Sequence, residues 1–422
     1  MEKVVITGMG VLSACGSTPA EMWARLAAGR GATGPVTRVD PARLAHNVCG
    51  EVRGFDPAQH FGKEVEILDR FAQFAVVCAR RALADAGLEG RFGLNGGVPA
   101  RRVGVVTGTA LGGVESEDYG FHQLYARQAT RLHPYSIPRM MFNAATSHVS
   151  MDTGAQGVSF AVSTACASST HALGEAWRLL RLGAADVMLA GGADAPLTLV
   201  VFKAWEAMRV LAPAGSDPAA ACRPFSADRA GLVLAEGAAM FVLETESSAR
   251  RRGARVWGEL AGYGASADAG HITQPTLEGP LSAMREAMAA AGLEARDLDY
   301  INAHGTGTKL NDATESAAIR ALLGGETERV SVSSTKSMHG HAMGASGAVE
   351  LAATLLAIQQ QTAPPTANYT EPDPACDIDV TPNQARPREI RAALSNSFAF
   401  GGLNAVLAVK KVGTEDGLEV RR

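Results

Sequence analysis

The chain repeats itself, and the repeat limits its architecture more than any composition figure does. ARRALADAGLEG at 79–90 resembles AMREAMAAAGLE at 283–294. Each is an amphipathic helix pattern closed by a glycine, Gly87 or Gly292, where a left-handed cap would end the helix. Each is followed by a short apolar strand pattern ending in small residues: VGVVTGTALGG (103–113) in the first copy and YINAHGTGT (300–308) in the second. DVMLAGGAD (186–194) has a counterpart in AALSNSFAFGG (392–402), and AAMFVLE (238–244) in NAVLAVKK (404–411). Continuous apolar strands alternating with helices call for sheets covered on both faces, hence an α/β fold. The expectation is two similar βα halves, 1–255 and 256–412, packed on each other so that matching loops meet in one cleft.

Of the 422 residues 46% are hydrophobic and 19% charged, enough to bury large cores. A net charge of −4 with no long run of like charge gives no support for nucleic-acid binding. Apolar runs such as VELAATLLAI fall short of the ~18 residues of a membrane span. The opening MEKVVITGMGVLS has no basic leader, so no signal peptide is expected. The six cysteines form no CxxC pair and no paired spacing with histidines, so neither a metal site nor a disulfide framework is expected, and a reducing cytoplasm fits best. Glu115–Gly157, rich in Met, Tyr, Phe and Pro, reads as an irregular insertion that caps a pocket or meets a partner. Arg250–Arg252 reads as a solvated helix end and the tail after Val412 as frayed.

The candidate chemistry starts at STACASST, 163–170. Cys166 stands where an apolar stretch ends and a helix-forming stretch, Ala167–Leu182, begins. Unsatisfied N–H groups and the positive end of the helix dipole favour a thiolate there, which suits acyl transfer through a thioester. A cysteine between alanines is more often plain packing. Two further motifs, HGTGT (304–308) and STKSMHGHAMGASG (334–347), supply His304, Lys336 and His341 and change that balance.

In these motifs, their order and their approximate spacing, together with NSFAFGG (396–402), the chain resembles the β-ketoacyl-acyl carrier protein synthases of the thiolase superfamily, the elongating type with one cysteine and two histidines. The resemblance runs from VVITGMG to NSFAFGGLNA. It implies a thiolase fold, two βα halves in a five-layered αβαβα arrangement, and decarboxylative Claisen condensation in fatty-acid or type II polyketide biosynthesis. Cys166 would carry the acyl chain, while His304 and His341 stabilise the enolate formed from a malonyl thioester. Backbone N–H groups at Cys166 and near the gating Phe400 would form the oxyanion hole. Lys336 would pair with Glu350 and organise the field around the histidines, and Asp312 and Glu315 would brace the HGTGT loop. Thr306, Thr308, Leu232, Leu111 and Thr273 would line the substrate site. No cofactor is implied beyond the phosphopantetheine of an acyl carrier protein, the expected partner. A homodimer, or a heterodimer with a chain-length-factor-like subunit, is expected through the 105–160 region.

Departures from the family pattern bear on specificity. RAGL (229–232) puts Leu232 where relatives often carry an aromatic. FAFGG puts Ala399 at a frequent glycine, where a Cβ is expected to restrict the gating turn. KEVEILDR (63–70) places Glu64 and Glu66 in a segment often more basic in relatives, which weakens a docking patch for an acidic carrier. Two other readings remain: a nucleophile-free partner subunit, against which Cys166 and both histidines argue, and a biosynthetic thiolase, whose second cysteine would have to be Cys376.

Overall fold

The computed structural model describes residues 2–90, 92–93, 97–413 and 419–420. The duplicated sequence becomes a duplicated topology. The first half contributes β1 (Val4–Leu12), β2 (Val103–Gly108), β3 (Ser159–Val162), β4 (Val187–Asp194) and β5 (Gly237–Thr245). The second contributes β6 (Gly258–Ala267), β7 (Tyr300–Asn302), β8 (Ser331–Ser333), β9 (Ala392–Ala399) and β10 (Leu403–Lys410). From the edge inward the first half runs β3-β2-β4-β5-β1 and the second β8-β7-β9-β10-β6, the same order twice. Strand directions repeat too. β2 is parallel to β3 and β4, β5 is antiparallel to β4 and β1, and the second half follows suit. The halves join by a short antiparallel contact of β1 with β6 at Val5–Glu259 and Ile6–Gly258, giving one ten-stranded sheet.

Helices supply the other layers. α1 (Arg70–Ala86) packs on β1 and β5, with α4 (Ala144–Thr153) beside it; α2 (Val114–Phe121) and α3 (Ser136–Met140) precede α4 in the chain. α5 (Ser168–Arg181) lies on β2 and β4 and also reaches β6 and β10 of the other half; α6 (Leu199–Met208) follows β4. α7 (Glu278–Ala291) covers β6 and β10, with α8 (Lys309–Leu323) against it, while α9 (Ser346–Gln360) packs on β9 and on β5. α5 and α9 therefore form a shared middle layer, and the five-layered expectation is met. α9 is buried without a break from Ser346 to Ile358, which its nearly all-apolar sequence permits. The two middle helices approach closely at their starts. A Cβ on Gly347 would sit 1.9 Å from Thr170 Oγ1, so no larger residue fits at that crossing.

Three expectations are corrected. The Glu115–Gly157 stretch is largely helical (α2, a π-turn at His122–Ala126, α3 and α4). α4 is held by packing on α1 and by left-handed Gly154 at its end, which composition does not reveal. Arg252 is not merely solvated, because its guanidinium pairs with Glu244, 0% exposed, and donates to the Ala86 carbonyl. In the tail, Glu419–Val420 pairs in parallel with Arg255–Val256; residues 414–418 and 421–422 lie outside the described residues. No helix among the described residues is long and apolar enough to cross a membrane.

Candidate active site

Ligands in sheets of this kind gather beyond the carboxyl ends of the strands, and the motif residues do the same. Cys166 follows β3, His304 follows β7, Lys336 and His341 follow β8, and Phe400 follows β9. The two-fold repeat thus brings residues about 140–230 positions apart to one place. One nitrogen of each histidine and the Cys166 sulfur lie within 4.8 Å of one another. This trio offers three ligand atoms to a soft cation, one fewer than a closed zinc site uses.

Cys166 sits on a tight elbow. Ala165 has φ of 50°, and Ser168 closes the turn by accepting from Thr164 N at 2.9 Å and donating to the Ala165 carbonyl at 2.6 Å. α5 starts at Ser168, one residue later than the sequence pattern suggested, leaving Cys166 just ahead of the helix. The ready thiolate expected from the helix dipole is not the resting state. Burial pushes the thiol from 9.0 up to about 12, with Lys336 only partly opposing. That rise corresponds to about 4 kcal/mol, against at most ~2 kcal/mol from a helix terminus. Desolvation wins, and Cys166 rests as a thiol.

Both histidines are buried and neutral. Burial first, and then the Lys336 charge, holds each well below the ordinary 6.5. Their rings stand edge to face, with centroids 5.4 Å apart. His341 Nδ1 receives the Met343 backbone N–H at 3.2 Å, which can only donate, so the ring's proton is on Nε2, 3.2 Å from Cys166 Sγ. His304 is set in the same way. The Lys336 ammonium stands 3.3 Å from His304 Nδ1, donates to the His304 carbonyl at 2.6 Å and pairs with Glu350. Three protons meet three acceptors, and His304 is left with its proton on Nε2. Burial raises Glu350 to about 7 against the pull of Lys336.

The loop that carries His304 is tied down by carboxylates. Glu315 accepts from His304 N at 2.8 Å and Gly305 N at 2.7 Å, and Asp312 accepts from Phe225 N at 2.9 Å and Gly307 N at 3.3 Å. A cavity of about 600 Å³ opens onto Cys166, His304 and His341, and Thr306, Thr308, Thr273, Leu232 and Phe400 line it. Leu111 does not. Like Phe400, it packs against an apolar cluster that includes Leu232, Phe202 and Trp205. Ala399 lies in β9 paired with Leu403, in extended backbone that any residue adopts; the left-handed residues of the gating turn are Gly401 (φ 83°) and Gly402 (φ 67°). The expected restriction by the Ala399 Cβ is therefore absent. Cys376 is buried in a separate core cluster and does not line the cavity.

Three residues escaped the sequence reading. Trp205 on α6 stacks on Phe400, ring centroids 5.7 Å apart and 25° from coplanar. Arg229, 3% exposed, donates to the carbonyls of Ser226, Thr308 and Lys309 and faces Asp312 at 3.5 Å, pinning the threonine wall. Asp194 ends β4, fully buried, and accepts from Thr109, Ala110, Leu111 and Gly344. The last had a signal in the sequence: a carboxylate at the end of an apolar strand is costly unless donors surround it.

Comparison with known proteins agrees over nearly the whole length. Residues 1–249 match the family described as Beta-ketoacyl synthase, N-terminal domain, and residues 257–370 match Beta-ketoacyl synthase, C-terminal domain. The chain is 46% identical to Nodulation protein E of Rhizobium sp. (strain N33) over 97% of this chain and 99% of that one. It is 40% identical to 3-oxoacyl-[acyl-carrier-protein] synthase 2 of Staphylococcus aureus (strain N315), covering 97% and 98%. Among solved structures, the ishigamide ketosynthase/chain length factor superposes with a TM-score of 0.90 at 36% identity, covering 98% of this chain and all of that one. A type II polyketide synthase ketosynthase in complex with its acyl-carrier protein, AntDE:AntF, superposes at 0.89 and 31% identity, covering 97% and 100%. On the family matches, the relatives and the fold together, the chain belongs to the β-ketoacyl synthase family.

Proposed function

We propose that this chain catalyses decarboxylative Claisen condensation between an acyl thioester held on Cys166 and malonyl-acyl carrier protein, giving a β-ketoacyl-acyl carrier protein and CO2. The observation that carries the reading is the convergence of a thiol with two neutral imidazoles whose Nε2–H groups face one dry site. Neutral donors suit an enolate. They stabilise its oxygen without handing the carbanion a full proton.

The steps balance on these residues. Cys166 sulfur attacks the carbonyl of an acyl-carrier thioester, the thiol proton leaves with the departing carrier sulfur, and the acyl group stays on Cys166. Malonyl carrier protein then enters the cavity and its C–C bond to the carboxylate breaks. CO2 leaves, and the electron pair forms an enolate whose oxygen lies between His304 and His341. The enolate carbon attacks the acyl carbonyl, whose oxygen is held by the backbone N–H groups of Cys166 and Phe400, and the intermediate collapses with expulsion of the Cys166 thiolate, which takes one proton from solvent to return to the resting thiol. Lys336, held by Glu350, fixes the His304 tautomer rather than moving protons.

Carrier docking is placed at the cavity mouth. Exposed Met208, Ile272 and Leu310 rim it beside the cations Arg209 and Lys309, a combination that suits an acidic partner with an apolar patch. Arg70, in the segment where docking charge was sought, is bound to Glu236 and lies over Phe74, so it is withdrawn from that task. Dimerisation is assigned to β3, an edge strand that carries exposed Phe160, and to the helical segment before it, which exposes Phe121, Tyr125, Ile137 and Phe142. An unpaired sheet edge together with this exposed apolar surface calls for a partner, by default a second copy. A subunit of the chain-length-factor kind, as named for the ishigamide protein, would use the same surface. The six unpaired thiols accord with a cytoplasmic enzyme. Incubating the purified chain with acyl- and malonyl-carrier protein should yield one new β-ketoacyl thioester and one CO2 per cycle. Acyl exchange without CO2 release would point to the thiolase alternative.

A further inference from the structure

Each histidine loop is tied by a buried carboxylate, but the two ties come from different places. Glu315 holds the His304 loop from within the second half, whereas Asp194 reaches the His341 loop from the first. Asp194 is 0% exposed. One of its oxygens accepts from Thr109 Oγ1 at 2.7 Å and Leu111 N at 3.2 Å, the other from Ala110 N at 2.8 Å and Gly344 N at 2.7 Å. Four donors fill the four lone-pair sites of a carboxylate. The fit is tight, since a Cβ on Gly344 would lie 2.4 Å from Ala110 N and 2.6 Å from an Asp194 oxygen.

The residue before Gly344 decides the chemistry. Met343 is held at φ 49°, a left-handed conformation that a non-glycine residue keeps only when its surroundings impose it. In that conformation its N–H points at His341 Nδ1, 3.2 Å away. Ser346 Oγ stands 2.9 Å from the same nitrogen and can either donate or accept. With the Met343 N–H in place, Nδ1 must accept and the proton stays on Nε2. Were the turn to relax, Ser346 could accept an Nδ1–H instead, and His341 would offer Cys166 and the enolate a lone pair in place of a donor. We propose that Asp194 is a positioning residue that selects the Nε2–H tautomer of His341 by clamping the Met343–Gly344 turn from the opposite half of the molecule.

The proposal rests on the role given to His341 in condensation, so its test includes a readout that needs no turnover. In full-length protein labelled with 15N-histidine, the native chain should show His341 protonated at Nε2. In Asp194→Asn one acceptor oxygen remains and an amide NH2 faces the other backbone donors. The protonated nitrogen of His341 should then move towards Nδ1, and malonyl-carrier decarboxylation should fall by about tenfold or more, short of the ~10²–10³ expected when a donor is removed outright. Asp194→Glu, which keeps the charge one methylene further out, is measured alongside. It should retain more Nε2–H signal and more decarboxylation than the asparagine variant. A folded Asp194→Asn protein with an unchanged Nε2–H signal overturns the proposal whatever its rate. So does failure of both variants to fold, which would make Asp194 a structural brace first. A native enzyme that does not decarboxylate malonyl thioesters at all would fail the functional reading while leaving the tautomer test standing.

Discussion

Replacing Lys336 separates two jobs that its ammonium performs at once. Lys336 and Glu350 are both 0% exposed, and the lysine also donates to the His304 carbonyl and faces its Nδ1 at 3.3 Å. Lys336→Met keeps much of the volume but strands Glu350. Breaking a buried pair in this way costs about 3–5 kcal/mol of stability. It also frees His304. At 3.3 Å and an effective dielectric constant near 20, a protonated His304 and Lys336 would repel by about 5 kcal/mol. The ammonium thus adds to burial, the larger cause, in keeping that ring neutral, in addition to orienting its proton. The double variant Lys336→Met/Glu350→Gln restores charge balance but not the donor to Nδ1. Urea melts should show most of the lost stability regained in the double variant. Decarboxylation of malonyl carrier protein, followed by CO2 release, should stay down by about 10² in both. If the double variant recovers decarboxylation together with stability, Lys336 merely balances Glu350, and its role in fixing the His304 tautomer is refuted.

Leu232→Phe puts a ring into the cavity wall beside Trp205 and Phe400 and should shift preference towards shorter acyl chains, by about 1–3 kcal/mol per methylene; an unchanged profile across an acyl-carrier series would remove Leu232 from specificity. Burial holds His171 at about 4, so between pH 6.5 and 4 the unfolded chain takes up a proton there that the folded chain refuses, and stability falls as pH falls, by at most about 1.4 kcal/mol per pH unit. His171→Gln should accordingly flatten the denaturation profile between pH 6.5 and 4.5, and an unaltered slope would contradict the assignment. Phe160→Asp, on exposed edge strand β3, should yield monomers by sedimentation at micromolar concentration, whereas an intact dimer would move the interface elsewhere.

What the sequence made legible was whatever is written locally. The two helix-then-strand copies announced a doubled fold, and the folded chain has the same strand order in each half. The motifs at 163–170, 304–308 and 334–347 named the cysteine, the lysine and both histidines, which the folded chain brings together. Less legible was whatever depends on what lies across the cleft. Asp194 meets Gly344 150 positions away, and Trp205 of α6 stacks on Phe400 of the other half. The start of α5 was nearly right, yet the thiolate inferred from it was not. A helix start is a local pattern, whereas the dryness that lifts Cys166 to about 12 comes from residues of both halves. Leu111 is absent from the cavity lining for a related reason, since a motif shows that a residue is near a site but not whether its side chain faces the cavity or the apolar cluster beside it.

The most direct test of the account is the location of the covalent intermediate. After incubation with an acyl-carrier protein and no malonyl donor, intact mass should rise by one acyl group, and peptide mapping should place that group on Cys166. Adding malonyl-carrier protein should then discharge it with release of CO2. An adduct on any of the other five cysteines, or an acyl group on Cys166 that malonyl carrier protein leaves in place, would contradict the assignment of Cys166, His304 and His341 as one condensing site.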